Sequence, residues 1–271
     1  SIDVIKKYQN NISYWISEPD RGQTHAINKG LAIATGDIVA YLNSDDTYLP
    51  DSFIKVIDFF NNNPDIDMVY GNLVHIDKQS NTIDIMECGE LDVFKLFSFH
   101  YYLPQATVFL RHEIVKKIGP FDEQLNLNMD YDYWVRLSFF GKIAHIPKEL
   151  ACARLYPEAK SQFFSQDYLK ENLIILEKYK YLMKQLINSE LLLSHAYASV
   201  YYYGGLSYLK RGDLVSGLKN IRKAMKFNRY IILNIVTLYS VFCGILGENI
   251  ISHIVFKTMR ALGLTSYIYH R

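Results

Sequence analysis

The chain has 271 residues, of which 49% are hydrophobic and 21% are charged, so it has ample apolar material for a core. Its length favours one large domain with a smaller accessory piece. The 29 basic and 28 acidic residues give a net charge of +1, without the global basic footprint that usually accompanies nucleic-acid binding. Three widely separated cysteines form no paired metal or redox motif, so we expect reduced thiols and a cytoplasmic protein.

The first part of the chain predicts a helix, a strand and a second helix. Apolar spacing predicts the end of a helix at 2–7 and a short strand at 12–17, followed by a loop at 18–22. Apolar residues then recur at helical spacing over 23–34, and Thr35-Gly36 follows as a plausible stop. The order of these elements is that of an α/β fold.

A compact apolar run at 38–42 leads into Asn43-Ser44-Asp45-Asp46. Such a run is typical of a buried parallel strand whose carboxyl end opens onto a polar loop. Pro50 suits the first turn of a helix, and another strand is predicted at 68–76. The inward face of the helix is predicted to hold Phe53, Val56, Ile57 and Phe60.

Shorter elements follow. The pattern predicts a turn at 78–81, a strand at 107–110, a helix at 130–140, and strands at 143–146 and 151–155. The alternation of strands and helices predicts an α/β sheet flanked by helices. Ligands of such sheets bind in crevices at the carboxyl ends of the strands.

Beyond Pro157 the sequence becomes helical in character, and we place a boundary near residue 160. Residues 1–160 are predicted to be the catalytic domain and residues 161–271 a helical accessory region. One helix pair has the spacing of a tetratricopeptide-like hairpin, which must pack on its neighbours because a free-standing solenoid needs about three repeats. The residues with this spacing are Tyr201, Gly204, Gly205, Tyr208, Gly212, Gly217, Ile221 and Ala224.

Adjacent carboxylates follow the predicted strand at 38–42. Asp45 and Asp46, preceded by Asn43, offer the oxygen ligands that a hard divalent cation prefers alongside phosphate oxygens. Such a cation would neutralise charge developing on a diphosphate leaving group. In the alternative interpretation, these side chains only cap a turn before the next helix.

A second pair of acids opens the predicted helix at 130–140. Asp130 and Asp132 lie on different faces of its first turn, so one of them could face a cleft. A carboxylate there could accept the proton of a sugar hydroxyl that attacks an anomeric carbon. Alternatively, both acids only satisfy helix-terminal amides and complement the helix dipole.

Several motifs in a fixed order make a chance match far less probable than one motif would. These are Ser17-Glu18-Pro19-Asp20-Arg21-Gly22-Gln23, Asn28-Lys29-Gly30, Ala34-Thr35-Gly36-Asp37, Leu42-Asn43-Ser44-Asp45-Asp46, and Gly119-Pro120-Phe121-Asp122-Glu123 through Asp130-Tyr131-Asp132-Tyr133-Trp134. Together they resemble the family 2 glycosyltransferases of the GT-A fold, over roughly residues 1–160. The resemblance implies a GT-A-like mixed sheet and an inverting, metal-dependent enzyme of the hexosyltransferase type that uses a nucleotide-diphosphate sugar.

The resemblance also implies roles for individual residues. Asn43-Ser44-Asp45 occupies the position of the family's Asp-any-Asp motif, so Asp45 and Asp46 are the expected ligands of Mg²⁺ or Mn²⁺. Asp130 lies where the family has its catalytic base. The nucleotide is expected to contact Asp20, Arg21, Asn28, Lys29, Asn43 and Asp45.

Three residues depart from the family's pattern. Met129 replaces the acid that usually precedes the base, Asn43 replaces the more frequent first Asp, and Tyr156 stands where a His often occurs. In addition, the strand, helix and second strand that family members place before the equivalent of Ser1 are absent here. We therefore expect an unpaired inner sheet edge, and poor nucleotide binding by this chain alone.

No charged residue occurs at 230–247, a stretch about 27 Å long as a helix at about 1.5 Å per residue. Its polar residues favour a buried accessory helix over membrane-surface contact and a true span. Basic residues nearby would favour an anionic membrane surface and suit a lipid-linked acceptor at the inner face of the cell membrane. These are Lys219, Arg222, Lys223, Lys226 and Arg229.

The leading hypothesis is sugar transfer to a saccharide or lipid-linked acceptor in bacterial polysaccharide or glycoconjugate assembly. One alternative is a noncatalytic interaction protein that combines a degenerate catalytic domain with the helical hairpin. Another is a nucleotide-sugar hydrolase, in which water takes the place of the acceptor hydroxyl.

Overall fold

The computed structural model describes residues 1–99, 103–156 and 166–229. The helices are α1 (Ile2–Lys7), α2 (Gln23–Ile33), α3 (Ser52–Asn62), α4 (Val93–Leu96), α5 (His112–Ile118), α6 (Met129–Phe140), α7 (Gln166–Met183), α8 (Ser189–Lys210) and α9 (Leu214–Phe227). The strands are β1 (Ile38–Val39), β2 (Thr47–Tyr48), β3 (Met68–Ile76), β4 (Thr82–Met86), β5 (Phe109–Arg111) and β6 (Ile143–Arg154). Short 3₁₀ helices occupy Gln9–Asn11 and Gln105–Thr107.

The strands form one mixed sheet with the order β1-β5-β3-β6-β2, and β4 pairs with β3. β3 and β6 run parallel, whereas the other pairings are antiparallel. β3 lies at the centre and is buried at every residue except His75, as expected of a near-continuous apolar run with neighbours on both sides. The strand prediction at 68–76 is confirmed.

The predicted strands at 143–146 and 151–155 are a single strand, β6. Its pairing with β3 jumps from Gly71 opposite Ile146 to Asn72 opposite Glu149. The bulge contains Pro147, which has no N–H to donate to the sheet. A Cβ at Gly71 would lie 2.6 Å from the Lys148 carbonyl oxygen, so glycine is needed where the bulged strand crosses it. A local bulge therefore joins two predicted strands.

The apolar run at 38–42 is not a parallel strand. Only Ile38–Val39 pairs, and it does so antiparallel to β5. The carbonyl oxygen of Tyr41 instead accepts a hydrogen bond from Gln105 Nε2 at 2.6 Å, so a side chain takes the place of a neighbouring strand. β1 ends the strand order in the part of the chain that the structure describes.

The predicted strand at 12–17 was also wrong. These residues pair with no described strand, and Tyr14, Trp15 and Ile16 are exposed. Apolar and aromatic residues raise strand propensity, but a strand forms only where a neighbour can accept its backbone hydrogen bonds.

The inward face of α3 is narrower than predicted. Val56 and Phe60 are buried together with Ser52, at intervals of four residues. Phe53 and Ile57 lie one position further round the helix and are 55% and 47% exposed. Phe53 still meets the ring of Tyr48 edge-on at 4.9 Å between centroids. The helix prediction is thus confirmed, and half of its predicted core face is corrected.

α6 crosses the main hydrophobic core. Tyr133, Trp134, Val135 and Leu137 are all buried there. The ring of Tyr133 stacks on Phe121 with 4.0 Å between centroids. This packing holds the helix firmly on the segment that precedes it, which matters because the predicted base lies in its first turn.

The C-terminal region described here is helical, as predicted. α8 and α9 form a hairpin in which a Cβ on Gly205 would approach the carbonyl oxygen of Gly217 to 2.9 Å, so the two backbones pack closely. Likeness to a tetratricopeptide unit stays a prediction. The boundary near residue 160 and the apolar stretch at 230–247 lie outside the described residues. No described helix combines the length and apolar character needed to cross a membrane.

Candidate active site

The segment after β1 forms a tight turn from Asn43 to Asp46. The backbone N–H of Asp46 donates to the carbonyl oxygen of Asn43 at 3.1 Å. The Asn43 side chain in turn donates from Nδ2 to Asp46 Oδ2 at 3.2 Å. These hydrogen bonds order the acids within the turn, as the capping alternative supposed. The two acids differ in the contacts that they make with residues outside the turn.

Asp46 is tied to the end of β6. Its Oδ1 accepts the backbone N–H of Arg154 at 3.0 Å, while its Oδ2 accepts Asn43. Burial raises the pKa of Asp46, and these two hydrogen bonds partly oppose that rise. Both carboxylate oxygens thus have partners within the protein.

The carboxylate of Asp45 accepts fewer hydrogen bonds than that of Asp46. The hydroxyl of Tyr156 donates to Asp45 Oδ2 at 2.7 Å, and Arg154 Nε donates to the Asp45 carbonyl oxygen at 3.2 Å. No described residue forms a hydrogen bond with Asp45 Oδ1. Tyr156, which departs from the family's usual His, therefore contacts the carboxylate expected to bind metal.

The described residues contain no cluster of three or more His, Cys, Asp or Glu side chains around one point. A cation at this turn would therefore rely on Asp45 together with oxygens from a bound diphosphate. That donor set is ordinary for Mg²⁺, which is commonly bound by one or two carboxylates and substrate phosphates. The residues present fit such an ion.

Two glutamines hold Asn43 in place. Gln23 Nε2 donates to Asn43 Oδ1 at 3.0 Å, and Asn43 Nδ2 also lies 3.4 Å from Gln105 Oε1. Gln105 is buried and bridges to the Tyr41 carbonyl oxygen. The side-chain amide of Asn43 therefore connects Gln23 and Gln105 at this edge of the sheet.

α2 joins this turn to the start of α6. Gln23 contacts Asn43, while the next residue, Thr24, donates from its buried hydroxyl to the carbonyl oxygen of Leu125 at 3.0 Å. The Thr24 hydroxyl also lies 2.7 Å from Met129 Sδ. Consecutive residues of one helix thus contact the turn that holds Asp45 and the residue directly before Asp130.

Two of the predicted nucleotide contacts belong to the same α2 face. Asn28 clamps the backbone of Phe121, because its Oδ1 accepts the Phe121 N–H at 2.9 Å and its Nδ2 donates to the Phe121 carbonyl at 3.0 Å. Lys29 pairs with Glu18 at 3.0 Å. The structure thus gives Asn28 a defined framework role.

Asp20 and Arg21 lie in the loop before α2. Asp20 Oδ1 accepts the N–H of Gly22 at 2.9 Å, which stabilises a turn in which Gly22 has a φ of +121°. The exposed guanidinium of Arg21 pairs with Glu123 at 2.6 Å. Arg21 and Asn28 therefore both contact residues 121–123.

The two acids of α6 have opposite environments. Asp132 is 0% exposed in its side chain and receives a hydrogen bond from Lys178 Nζ at 2.9 Å, with Arg136 at 3.5 Å. Asp130 is only partly buried, and its Oδ1 accepts the N–H of Tyr131 at 2.8 Å. Asp132 fits the structural interpretation, whereas the role of Asp130 as a base stays a prediction.

The sequence interpretation missed Glu171, on α7. Its buried carboxylate accepts the backbone N–H groups of Asn126, Leu127 and Asn128 at 2.8–3.0 Å. Nothing in the residues around Glu171 indicates this contact, since its partners lie more than 40 positions earlier in the chain.

Comparison with known proteins agrees with these motifs. Residues 1–118 match the family model described as Glycosyl transferase family 2. Residues 1–118 therefore belong to a glycosyl transferase family 2 domain.

Curated relatives of this glycosyl transferase family 2 domain include an uncharacterized glycosyltransferase, MJ1057, of Methanocaldococcus jannaschii. It is 30% identical over 141 residues, which are 49% of this chain and 48% of the relative. The amylovoran biosynthesis glycosyltransferase AmsE of Erwinia amylovora is 23% identical over 170 residues, covering 62% of this chain and 63% of AmsE. The chain spans about half the length of the first curated relatives it matches.

Solved structures extend the likeness past the family 2 domain. A crystal structure of S. aureus TarS aligns with a TM-score of 0.56 and 12% identity, covering 90% of this chain and 47% of that chain. TarS 1–349 in complex with UDP-GlcNAc aligns with a TM-score of 0.52 and 14% identity, covering 84% and 78%. At these identities the likeness concerns the fold, and it confirms the predicted GT-A-like sheet with flanking helices and a helical C-terminal region.

Proposed function

We propose that the protein transfers a sugar, of the hexosyl type, from a nucleotide-diphosphate donor to a saccharide or lipid-linked acceptor, with inversion. The observation that carries this proposal is the contact of Gln23 with Asn43 and of Thr24 with residues 125 and 129. One helical turn thereby joins the acid turn and the start of α6. The family 2 domain, and AmsE as a relative named for polysaccharide biosynthesis, support the same reaction class.

In this proposal Asp130 is the general base. Its carboxylate takes the proton of the acceptor hydroxyl as that oxygen forms a bond to the anomeric carbon. The bond from the anomeric carbon to the diphosphate oxygen breaks on the opposite face, so the configuration inverts and the nucleoside diphosphate leaves. The partial burial of Asp130, in contrast to the sealed ion pair of Asp132, supports this assignment.

A divalent cation, Mg²⁺ or Mn²⁺, would stabilise negative charge on the departing diphosphate when bound. Asp45 is the first candidate ligand, because its Oδ1 has no hydrogen bond from a described residue. Asp46 is the second candidate, although a ligand role would require it to exchange a hydrogen bond with Arg154 or Asn43. Tyr156 orients the Asp45 carboxylate by its hydrogen bond.

The donor is proposed to lie along the Asn43 turn, the loop that holds Asp20 and Arg21, and the part of α2 that holds Asn28 and Lys29. Because TarS 1–349 has been crystallised with UDP-GlcNAc, UDP-sugars are the first donors to test. Arg21 and Lys29 would exchange their surface pairs with Glu123 and Glu18 for phosphate oxygens, at small cost since exposed ion pairs contribute little.

We also propose peripheral contact with the inner face of the cell membrane, from the cytoplasm, where a lipid-linked acceptor would be reached. α9 contains no acidic residue between Leu214 and Phe227. Its outer face combines Lys219, Arg222 and Lys226 with Val215, which is 80% exposed. Basic residues beside exposed apolar ones suit an anionic membrane surface.

The test of transfer is release of nucleoside diphosphate from a panel of sugar nucleotides with Mn²⁺ or Mg²⁺. Release that depends on an added saccharide or lipid-linked acceptor supports transfer. Equal release without acceptor indicates a hydrolase, and no release from any donor indicates a noncatalytic interaction protein.

Flotation with vesicles that contain phosphatidylglycerol tests the membrane proposal. We expect the variant K219E/R222E/K226E to lose flotation and the matched variant K6E/K7E/K116E, with the same change in charge elsewhere on the surface, to keep it. Equal recovery of the two variants would reject α9 as the contact surface.

A further inference from the structure

Glu171 makes an unusually complete set of hydrogen bonds for a side chain outside the family 2 domain. Its Oε1 accepts the N–H of Asn126 at 3.0 Å, and its Oε2 accepts those of Leu127 at 3.0 Å and Asn128 at 2.8 Å. Glu171 is only 7% exposed. Burial of a carboxylate is costly unless hydrogen bonds to its charged form offset the loss of water. These three N–H groups supply that compensation.

The three amides belong to the residues that lead directly into α6. Asn128 is the N-cap of α6, and its side chain makes no capping hydrogen bond within the helix. A carboxylate at this end also complements the positive end of the helix dipole. α7 thus provides from outside the stabilisation that a helix usually obtains from its own cap.

A second contact joins the same two segments. Asn128 Nδ2 donates a hydrogen bond at 2.9 Å to Oδ1 of Asn172, the residue that follows Glu171. The charge of Asp130 lies close enough to Tyr168, in the first turns of α7, to raise the pKa of that phenol in addition to the larger effect of burial. The start of α7 therefore stands beside Asp130.

We infer that Glu171 is a positioning residue for Asp130: it fixes the backbone of residues 126–128, from which the base projects two residues later. The inference rests on the proposed function, because it assigns Glu171 a part in the reaction only if Asp130 is the base. It makes the helical region part of the catalytic apparatus. Proton transfer requires the base within hydrogen-bond reach of the acceptor hydroxyl, and a displacement of about 1 Å can cost about 10²-fold in rate.

A double-mutant cycle between Glu171 and Asp130 tests this inference. With Asp130 present, Glu171→Ala is expected to lower kcat by about 10- to 100-fold while KM for the donor changes less than about twofold. In the Asp130→Asn background, the same change is expected to lower the residual rate by less than about threefold, because there is no base left to position.

Graded variants separate positioning from folding. Glu171→Gln keeps one carbonyl oxygen, which can still accept Leu127 and Asn128, but its NH₂ group would face the N–H of Asn126. Its kcat is expected between those of wild type and Glu171→Ala, and it replaces the alanine variant in the cycle if the latter does not fold. Glu177→Gln, an exposed acid on the same helix, is the matched control and should leave kcat unchanged.

Three outcomes would overturn the inference. An equal loss from Glu171→Ala in both backgrounds would show that Glu171 does not act through the base. A loss from Glu177→Gln as large as that from Glu171→Gln would indicate a general effect of α7 charge. A wild-type protein without transfer from any donor would remove the proposed function itself, whereas active wild type with an additive cycle would remove only the role of Glu171.

Discussion

Two regions of the molecule each present a pair of neighbouring acids, and each pair divides in the same way. In the turn after β1, Asp46 is bound at both oxygens by Arg154 and Asn43, whereas Asp45 keeps one oxygen without a hydrogen bond from a described residue. In α6, Asp132 is sealed in an ion pair with Lys178, whereas Asp130 is partly exposed.

The difference between the regions lies in what holds the structural acid. Asp46 is held by β6 of the sheet, and Asp132 by α7 of the helical region. The partners of Asp46 therefore lie within the first 156 residues, whereas Asp132 is held by Lys178, which lies beyond residue 166. An acid pair in a sequence motif thus contains a framework member and a reactive candidate, and packing decides which is which.

The largest expected effect is that of Asp130→Asn on transfer. Loss of the base should lower kcat by about 10²- to 10⁴-fold and leave donor binding nearly unchanged, because the carboxylate acts in the chemical step. Nucleoside diphosphate release measures the rate, and calorimetric titration with the sugar nucleotide measures binding. Unchanged turnover would refute the base assignment and remove the contrast between Asp130 and Asp132.

Asp132→Asn should instead act on stability. Removing the carboxylate leaves Lys178 beside a buried neutral group, which we expect to lower the free energy of unfolding by about 2–3 kcal/mol. Breaking a fully buried pair costs about 3–5 kcal/mol. We expect a smaller loss here because Lys178 is 34% exposed and keeps Asp122 as a partner. Urea denaturation measures the change, with Asp130→Asn as the comparison variant. Equal stability of the two variants would contradict the division of roles.

Substitutions of Asp45 and Asp46 are expected to differ in their effect on the Mn²⁺ requirement of the reaction. Asp45→Asn is expected to raise the Mn²⁺ concentration for half-maximal activity by about 100-fold. Tyr156→Phe is expected to raise it by about tenfold, the lower end of the about 10- to 100-fold that outer-shell partners contribute. Asp46→Asn should have less effect on metal, since Asn retains an oxygen for the Arg154 N–H. A larger metal effect from Asp46→Asn would make Asp46 the principal ligand.

The smallest expected effect concerns His145, which is partly buried beside a neutral partner instead of an ion. Its Nε2 lies 3.1 Å from Asn72 Oδ1, and burial lowers its pKa, with a weaker opposing effect of Glu90. A lowered pKa means that the unfolded chain binds the proton more readily. Stability should therefore be complete above the unfolded pKa of about 6.5 and fall as pH drops below it.

Thermal melting of wild type and His145→Gln at pH 7.5, 6.5 and 5.5 measures this effect. The variant should lose part of the acid sensitivity but not all of it, since burial also lowers the pKa of His195 in α8. An identical dependence in wild type and His145→Gln would show that His145 is not responsible.

The secondary-structure elements that were predicted correctly are those marked by a local sequence pattern. The strand at Met68–Ile76, the helices α2, α3 and α6, and the turn at 78–81 were predicted from periodicity and turn residues. The ordered motifs also led to the family, which the match over residues 1–118 confirms. Periodicity, turn chemistry and motif order all lie within short windows of the chain, so the sequence by itself determined them.

The tertiary structure decided what depends on distant partners. Residues 12–17 have a strand's composition but pair with no strand among the described residues, and Pro147 interrupts the pattern of β6 but not the strand itself. The contacts that distinguish the acids of each pair, including that of Tyr156 with Asp45, join residues more than 40 positions apart, as do the contacts of Glu171 with three amides. Such contacts arise from packing and burial, which no local pattern encodes.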